Sequence, residues 1–341
     1  MTSPTVRFAA IGFNHGHIYS QVGLLLRAGA ELVSFYAAEP ELSEQFSERF
    51  PDVPRARGTQ EILEDESIHL VVSAAIPDER APLGIQVMQY GKDYMSDKPA
   101  FTSLDQLAEV RRVQTETGRI YSVCYSERFE NPASVRAGEL VHSGAIGQVV
   151  QTIGMGPHRI SLPTRPAWFF QRERYGGILT DIGAHQMDQF LYFTGSTSAE
   201  VVSSQVANYK YPEYPGLEDF GDATLRSDHA TGYMRVDWYT PDGLETWGDG
   251  RLFILGTEGY IEIRKNTNLG SGFGGSHLFW VDHEGTHYED CTGGDLPYGR
   301  LLINDILNRT ETAMSQSHCF LASELALRAE ANAARLGYLK D

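Results

Sequence analysis

Val6–Gly29 reads VRFAAIGFNHGHIYSQVGLLLRAG, and this stretch decides the fold. Val6–Ile11 is a short apolar run that closes on Gly12. From Gly16 onward Val22, Leu24, Leu25 and Leu26 follow a helical pattern until Gly29 stops it. A strand, a tight glycine turn and a helix in succession open a parallel βα unit. Such a turn brings backbone amides and the positive end of a helix up to a pyrophosphate. Its usual glycine spacing calls for glycine at 12, 14 and 17, and this chain keeps the first and carries Asn14 and His17 at the others. Asn14 tolerates a left-handed conformation and Gly16 permits tight helix packing, so Gly12, Phe13, Asn14 and His15 remain candidate cofactor contacts. The acid that grips ribose hydroxyls is expected near position 37, which is Ala37; Glu39 is the acid two residues on. No nearby arginine marks a 2′-phosphate pocket, so the turn leans toward NAD and leaves NADP open.

Working outward, the alternation continues. Glu31–Tyr36 reads as a strand, Pro40–Pro51 as a helix, Arg55–Arg57 as a short segment, and Ile68–Ala75 as a strand buried on both faces, with Ile76 at its end as a further cofactor contact. A helix over Glu79–Tyr90, a strand Tyr94–Ser96 running into Asp97-Lys98-Pro99, a helix Ser103–Thr117 stopped at Gly118 and a strand Ile120–Tyr125 follow. The fold class is α/β, with residues 1–127 expected to form a Rossmann-type doubly wound parallel sheet whose ligands meet the carboxyl ends of its strands.

Past residue 127 the texture changes. Asn131–Ser143 is helical, and Val149–Gly154, Glu200–Tyr209, Ala223–Arg226, Gly232–Tyr239, Arg251–Leu255 and Tyr260–Arg264 read as strands of a mainly antiparallel open sheet. With the helix that carries His185 and a terminal helix Leu321–Leu336, residues 128–341 are expected to form an α+β substrate-binding and oligomerisation domain. Gly270–Ser276, GSGFGGS, is a loop that serves as a lid or a tip.

Inside that domain Gly176–Asp188 reads GGILTDIGAHQMD. As a helix it places Asp181, His185, Asp188 and Tyr192 on one stripe, while Leu179, Ile182, Met187, Phe190, Leu191 and Phe193 cover the rest. A thin polar seam on a buried helix must be paired or face a cleft, so the spacing admits both a satisfied core pair and a tunable histidine site. No second pair of ligands at metal spacing follows. Cys124, Cys291 and Cys319 are scattered without a CxxC, so neither a metal set nor a disulfide framework is expected.

At 341 residues the chain suggests two domains, and 41% hydrophobic with 21% charged residues is ordinary for a globular protein. A formal net charge of −17 opposes nucleic-acid backbones and anionic membranes as partners. The amino terminus has no charged region followed by an apolar run, and no stretch of about 18 apolar residues occurs, so a cytoplasmic protein is expected.

The altered turn, Asp97-Lys98-Pro99, Gly144-Ala145-Ile146-Gly147, Trp168 before Gly176-Gly177, the Asp181/His185 pair and Gly256-Thr257-Glu258-Gly259, in this order, resemble the Gfo/Idh/MocA oxidoreductase family over nearly the whole chain. The resemblance implies that Lys98, in a Glu-Lys-Pro signature with Asp97 for Glu, sits between nicotinamide and substrate. It also makes His185 the acid/base residue and Asp181 a holder of substrate hydroxyls, with Tyr125, Arg128 and His158 as further substrate contacts. The implied activity is NAD(P)-dependent hydride transfer at a carbinol carbon of a sugar, inositol or related polyol. The alternatives are NAD-assisted hydrolysis or elimination without net redox change, and a non-catalytic ligand sensor. A homodimer or homotetramer through the second-domain sheet is expected.

Overall fold

In the computed structural model, residues 5–337 are described, so the outermost ends of both expected domains, residues 1–4 and 338–341, lie outside it. Two compact units result. One runs to Cys124 and also holds Pro297–Phe320; the other holds Tyr125–Leu296 and the chain from Leu321 onward.

The first unit is a five-stranded parallel sheet of β1 (Arg7–Ile11), β2 (Glu31–Tyr36), β3 (Leu70–Ser73), β4 (Asp93–Asp97) and β5 (Tyr121–Cys124), in the order β2-β1-β3-β4-β5. Every residue of β3, β4 and β5 is buried, as expected of parallel strands covered on both faces. An isolated parallel bridge between Phe35 and Arg55 lies beyond β2, where a doubly wound sheet would add its third strand. Helices His17–Arg27, Pro40–Arg49, Pro77–Gln89 and Leu104–Thr117 make the crossovers. The last begins where the Ser103 side chain accepts the Gln106 amide and ends at left-handed Gly118.

The second unit is built on a nine-stranded sheet. Its members are β6 (Val149–Pro157), β7 (Glu200–Ala207), β8 (Phe220–Arg226), β9 (Thr231–Asp237), β10 (Arg251–Gly256), β11 (Tyr260–Arg264), β14 (His277–Val281), β15 (Thr286–Asp290) and β16 (Ala334–Leu336). The order is β15-β14-β11-β10-β6-β9-β8-β7-β16, and β12 (Thr267–Asn268) pairs separately with β13 (Phe273–Gly274). The sheet is mostly antiparallel; β6–β9 and β16–β7 run parallel. Helix Pro132–His142 covers one face with Ala133, Ala137 and Leu140 against Leu252, Ile254, Ile261, Ile263 and Leu278. Helix Gly183–Thr194 packs on β6 and β9.

Three expectations need correction. The terminal helix runs over Gln316–Ala331, and Ala334–Leu336 is a strand pairing with β7 instead of the helix end. Strands β14 and β15 and helix Tyr298–Asn308 were not read from the sequence. A single cut at 127/128 has no place for Pro297–Phe320, which belongs to the first unit, where Tyr298 bonds Ser122 at 2.7 Å and the Gln316 side chain accepts the Tyr121 amide. Gly270–Ser276 covers most of the turn of the small β12–β13 hairpin, β13 itself and the link to β14.

Candidate active site

In the first unit, the turn after β1 is bound into the sheet by its backbone. Gly12 N–H donates to Tyr36 O at 3.0 Å, Ala74 N–H to Gly12 O at 3.1 Å, and His15 N–H to Ala74 O at 3.0 Å. Gly12 has φ +75°, and a Cβ there would stand 2.6 Å from Ala75 Cβ, so this position admits only glycine. Asn14 does not use the left-handed conformation expected of it, since Ser161 and Arg309 are the only described non-glycine residues with positive φ. Its side chain instead donates to Glu39 Oε1 at 2.7 Å, which holds that carboxylate at the turn although Ala37 occupies the expected position. Phe13 is buried and stacks on Phe46 at 4.3 Å, so the turn offers backbone there and keeps the ring in the core. Ile76 caps helix Pro77–Gln89 just beyond β3.

Lys98 follows β4 and is 6% exposed. Its neighbour Asp97 is buried. Asp97 Oδ1 lies 2.9 Å from His17 Nδ1, and Oδ2 lies 3.2 Å from Arg80 Nη2 and 3.5 Å from His15 Nδ1. Burial alone would raise the Asp97 carboxyl; the charges of His17 and Arg80 reverse this and hold it well below the usual carboxylate range. His15 is pushed well below the usual histidine range by burial, then by His17, with Lys98 and Arg80 adding to the effect against Asp97. Arg80, fully buried, spends its other donors on Ala75 O and Pro99 O, which fixes the end of β4 against the end of β3.

In the second unit, the Gly176-Gly177 pair performs a backbone task. Gly176 closes helix Arg172–Tyr175 at φ +91°, and Gly177 also has φ +91°. A Cβ on Gly177 would stand 2.2 Å from the Glu330 carboxyl carbon. Glu330 accepts the Leu179 amide and Glu218 the Ile178 amide, so two buried acids receive the free N–H groups where the helical run begins. The run is helical over Ile178–Asp181 and again over Gly183–Thr194.

The polar stripe divides. Asp188 is fully buried and takes Arg128 in a two-pronged ion pair at 2.7 and 2.6 Å, with the guanidinium 4.0 Å from the Phe129 ring and 4.6 Å from Tyr192. Arg128, expected to touch substrate, is thus held by Asp188 in this pair. His185 is 2% exposed, with Tyr125 edge-on 6.4 Å away. Tyr125 is itself buried, and its hydroxyl bonds Ser323 at 3.0 Å. Asp181 remains half-buried, one helical turn before His185, and its charge acts on Arg165.

Glu127 was missed by sequence reasoning. It is buried, paired with Lys265, and accepts from Gln186 at 3.0 Å and Gln189 at 3.4 Å. Burial would raise its carboxyl, but Lys265, His185 and His158 together hold it well below the usual range. His158 donates Nδ1–H to Gly156 O at 3.1 Å, which leaves Nε2 as the acceptor, and its ring lies between Trp238 and Trp247. Arg165, over Phe169 and Trp238, is another missed neighbour. A Glu beside Arg128 and a Lys after β11 carry no local signal; only the fold pairs residues 138 apart.

Against known proteins, residues 6–125 match a family described as oxidoreductase family, NAD-binding Rossmann fold, and residues 134–262 match the GFO/IDH/MocA C-terminal domain. The scyllo-inositol 2-dehydrogenase (NAD(+)) of Bacillus subtilis (strain 168) is 26% identical over 265 residues, 76% of this chain and 73% of that protein. A crystal structure of an oxidoreductase-like protein from Erwinia carotovora atroseptica SCRI1043 superposes with TM-score 0.95 at 47% identity, covering 97% of this chain and 100% of that one. Levoglucosan dehydrogenase in complex with NADH and levoglucosan superposes with TM-score 0.77 at 17% identity over 96% of each chain, a likeness of fold.

Proposed function

Since the chain belongs to the GFO/IDH/MocA family of oxidoreductases, with an NAD-binding Rossmann fold, we propose that it transfers a hydride between NAD and a carbinol carbon of a sugar, inositol or related polyol. The residues present suit the dinucleotide. Gly12 permits close approach to the turn, the helix His17–Arg27 starts there, and Glu39 brings an acid that suits ribose hydroxyls and opposes a 2′-phosphate. When bound, the nicotinamide supplies or takes the hydride.

The chain's own residues manage the proton and the charge. Oxidation of a carbinol releases a proton from oxygen, and His185 takes it; in the reverse direction His185 returns it. Lys98 lowers the energy of the alkoxide by its charge, and Asp181 orients substrate hydroxyls or the imidazole. His158, with its Nε2 acceptor, and Tyr125 complete the substrate wall in this reading. The observation that carries the proposal is His185 itself: a titratable imidazole almost wholly withdrawn from water and electrostatically linked to ionised Glu127. Such an environment is what a general base needs to be tuned toward its working pH.

A cytoplasmic setting is part of the same reading, supported by the scattered and buried positions of Cys124, Cys291 and Cys319, which suit a reducing compartment. So is pairing of copies through the open face of the nine-stranded sheet. Among the described residues, no helix is long and apolar enough to cross a membrane.

The test is titration of the purified chain with NAD, NADH, NADP and NADPH, followed by tryptophan fluorescence and then by a polyol and inositol screen read at the NADH absorbance band. Micromolar binding of NADH, and NADH formation with at least one polyol, is the expected result. Product without NADH would move the chain to internal-redox hydrolysis or elimination, and binding without any turnover would make it a sensor.

A further inference from the structure

Among the described residues, one group of three metal-type donors converges: His15, His17 and Asp97, with one ligand atom from each lying within 4.8 Å of the others. The two histidines come from the turn after β1 and the carboxylate from the last position of β4, 80 residues further on. None of the three has a role in the proton chemistry above.

We propose that His15, His17 and Asp97 form a binding site for a divalent transition-metal ion of the Zn²⁺ or Co²⁺ class. Bonds of about 2.0–2.1 Å in a tetrahedral site place neighbouring donor atoms roughly 3.3–3.4 Å apart. His17 Nδ1 stands 2.9 Å from Asp97 Oδ1 and His15 Nδ1 3.5 Å from Asp97 Oδ2, which brackets that spacing without any change of backbone. Two imidazoles and one carboxylate are also the donor set such ions favour.

The protonation pattern fits. The His17 amide donates to His15 Nδ1 at 3.3 Å, and an amide can only donate, so this nitrogen carries its one lone pair, which a metal ion takes in place of that long hydrogen bond. His17 Nδ1–H donates to Asp97, and a metal ion replaces that proton. Asp97 Oδ2 is buried and makes no hydrogen bond; Arg80 Nη2, 3.2 Å away, and the Arg80 bonds to Ala75 O and Pro99 O hold the carboxylate from behind, as outer partners of ligating carboxylates do. The imidazoles are only half-buried, 4.1 Å apart and edge-on, which leaves the remaining coordination position to water or to an incoming ligand. The opposing term is charge. Arg80 and Lys98 both act on this cluster and repel a further cation, so the affinity falls short of that of a structural zinc site.

The test uses the full chain, stripped with EDTA and titrated with Co²⁺ while the visible d–d absorption is followed. One equivalent per chain is expected to saturate the signal. His17→Ala and His15→Gln are each expected to weaken binding at least tenfold, and His283→Ala, at an exposed histidine of the second unit, to leave it unchanged. Two variants on the solvent side of the cluster guard against one that fails to fold. Absence of a saturable signal, or equal affinity in the wild type and both cluster variants, overturns the proposal. The readout needs neither cofactor nor substrate, so its failure leaves the dehydrogenase reading intact. NADH titration of the same samples reports that reading separately.

Discussion

At the scale of single residues, the acid/base assignment rests on environment more than on identity. His185 and Asp188 lie on the same face, yet Asp188 is consumed by Arg128 in a buried ion pair whose rupture would strand a charge. His185 remains buried, with a charge that acts on Glu127. Substituting His185→Ala is expected to lower kcat by about 10²–10⁴-fold, the usual contribution of a positioned acid/base, with NADH affinity unchanged. Steady-state kinetics beside fluorescence titration will check it. Loss of both, together with a lower unfolding midpoint, would return this histidine to the core-packing role that its spacing also admits.

At the scale of elements, the entry into the Ile178–Thr194 helical run is anchored by two acids that dislike each other's company. Burial first, and then the charge of Glu218, raise the Glu330 carboxyl well above the usual range, while Arg172 works in the opposite sense. A carboxyl whose folded pKa lies above its unfolded value of about 4.3 contributes stability that is complete below that pH and is lost as pH rises through the folded pKa. Urea unfolding between pH 5 and pH 9 should therefore show a decline in the wild type that Glu330→Gln, which cannot ionise, reduces. Equal slopes in the two proteins would sink this account. Asp97 and Glu127 act in the other direction and outside this window. Their folded pKa values are depressed, so their contribution is present above about pH 4 and disappears only as acid protonates them.

At the scale of the whole molecule, the nine-stranded sheet has one covered face and one bare one. Ile153, Tyr233, Leu255 and Tyr260 are 37, 40, 46 and 51% exposed on it. They are neighbours in register: Ile153 lies opposite Tyr233 and Phe253, and Leu255 lies opposite Tyr260, which faces Val281. A continuous apolar row across five strands is more than the scattered exposure ordinary surfaces show, and a second copy of the same sheet suits it by symmetry. Light scattering on a sizing column at about 10 µM is expected to give a dimer or tetramer for the wild type and a smaller species for Leu255→Glu. A monomeric wild type would refute this use of the face.

Much of this protein was legible in the sequence because it depends on neighbours along the chain. Gly12 and Gly118 mark turns through backbone freedom that is intrinsic to glycine, and the apolar run Leu70–Val72 announces a strand covered on both faces by composition alone. The order of βα units then leaves few topologies open. The tertiary structure decided what lies across space. It brought Asp97 to His17, Lys265 to Glu127 and Asp188 to Arg128, returned Pro297–Phe320 to the first unit, and turned Ala334–Leu336 from helix to sheet edge. Local propensity extends over a few residues, whereas a buried charge selects its partner by the free energy of leaving water, whatever the distance along the chain.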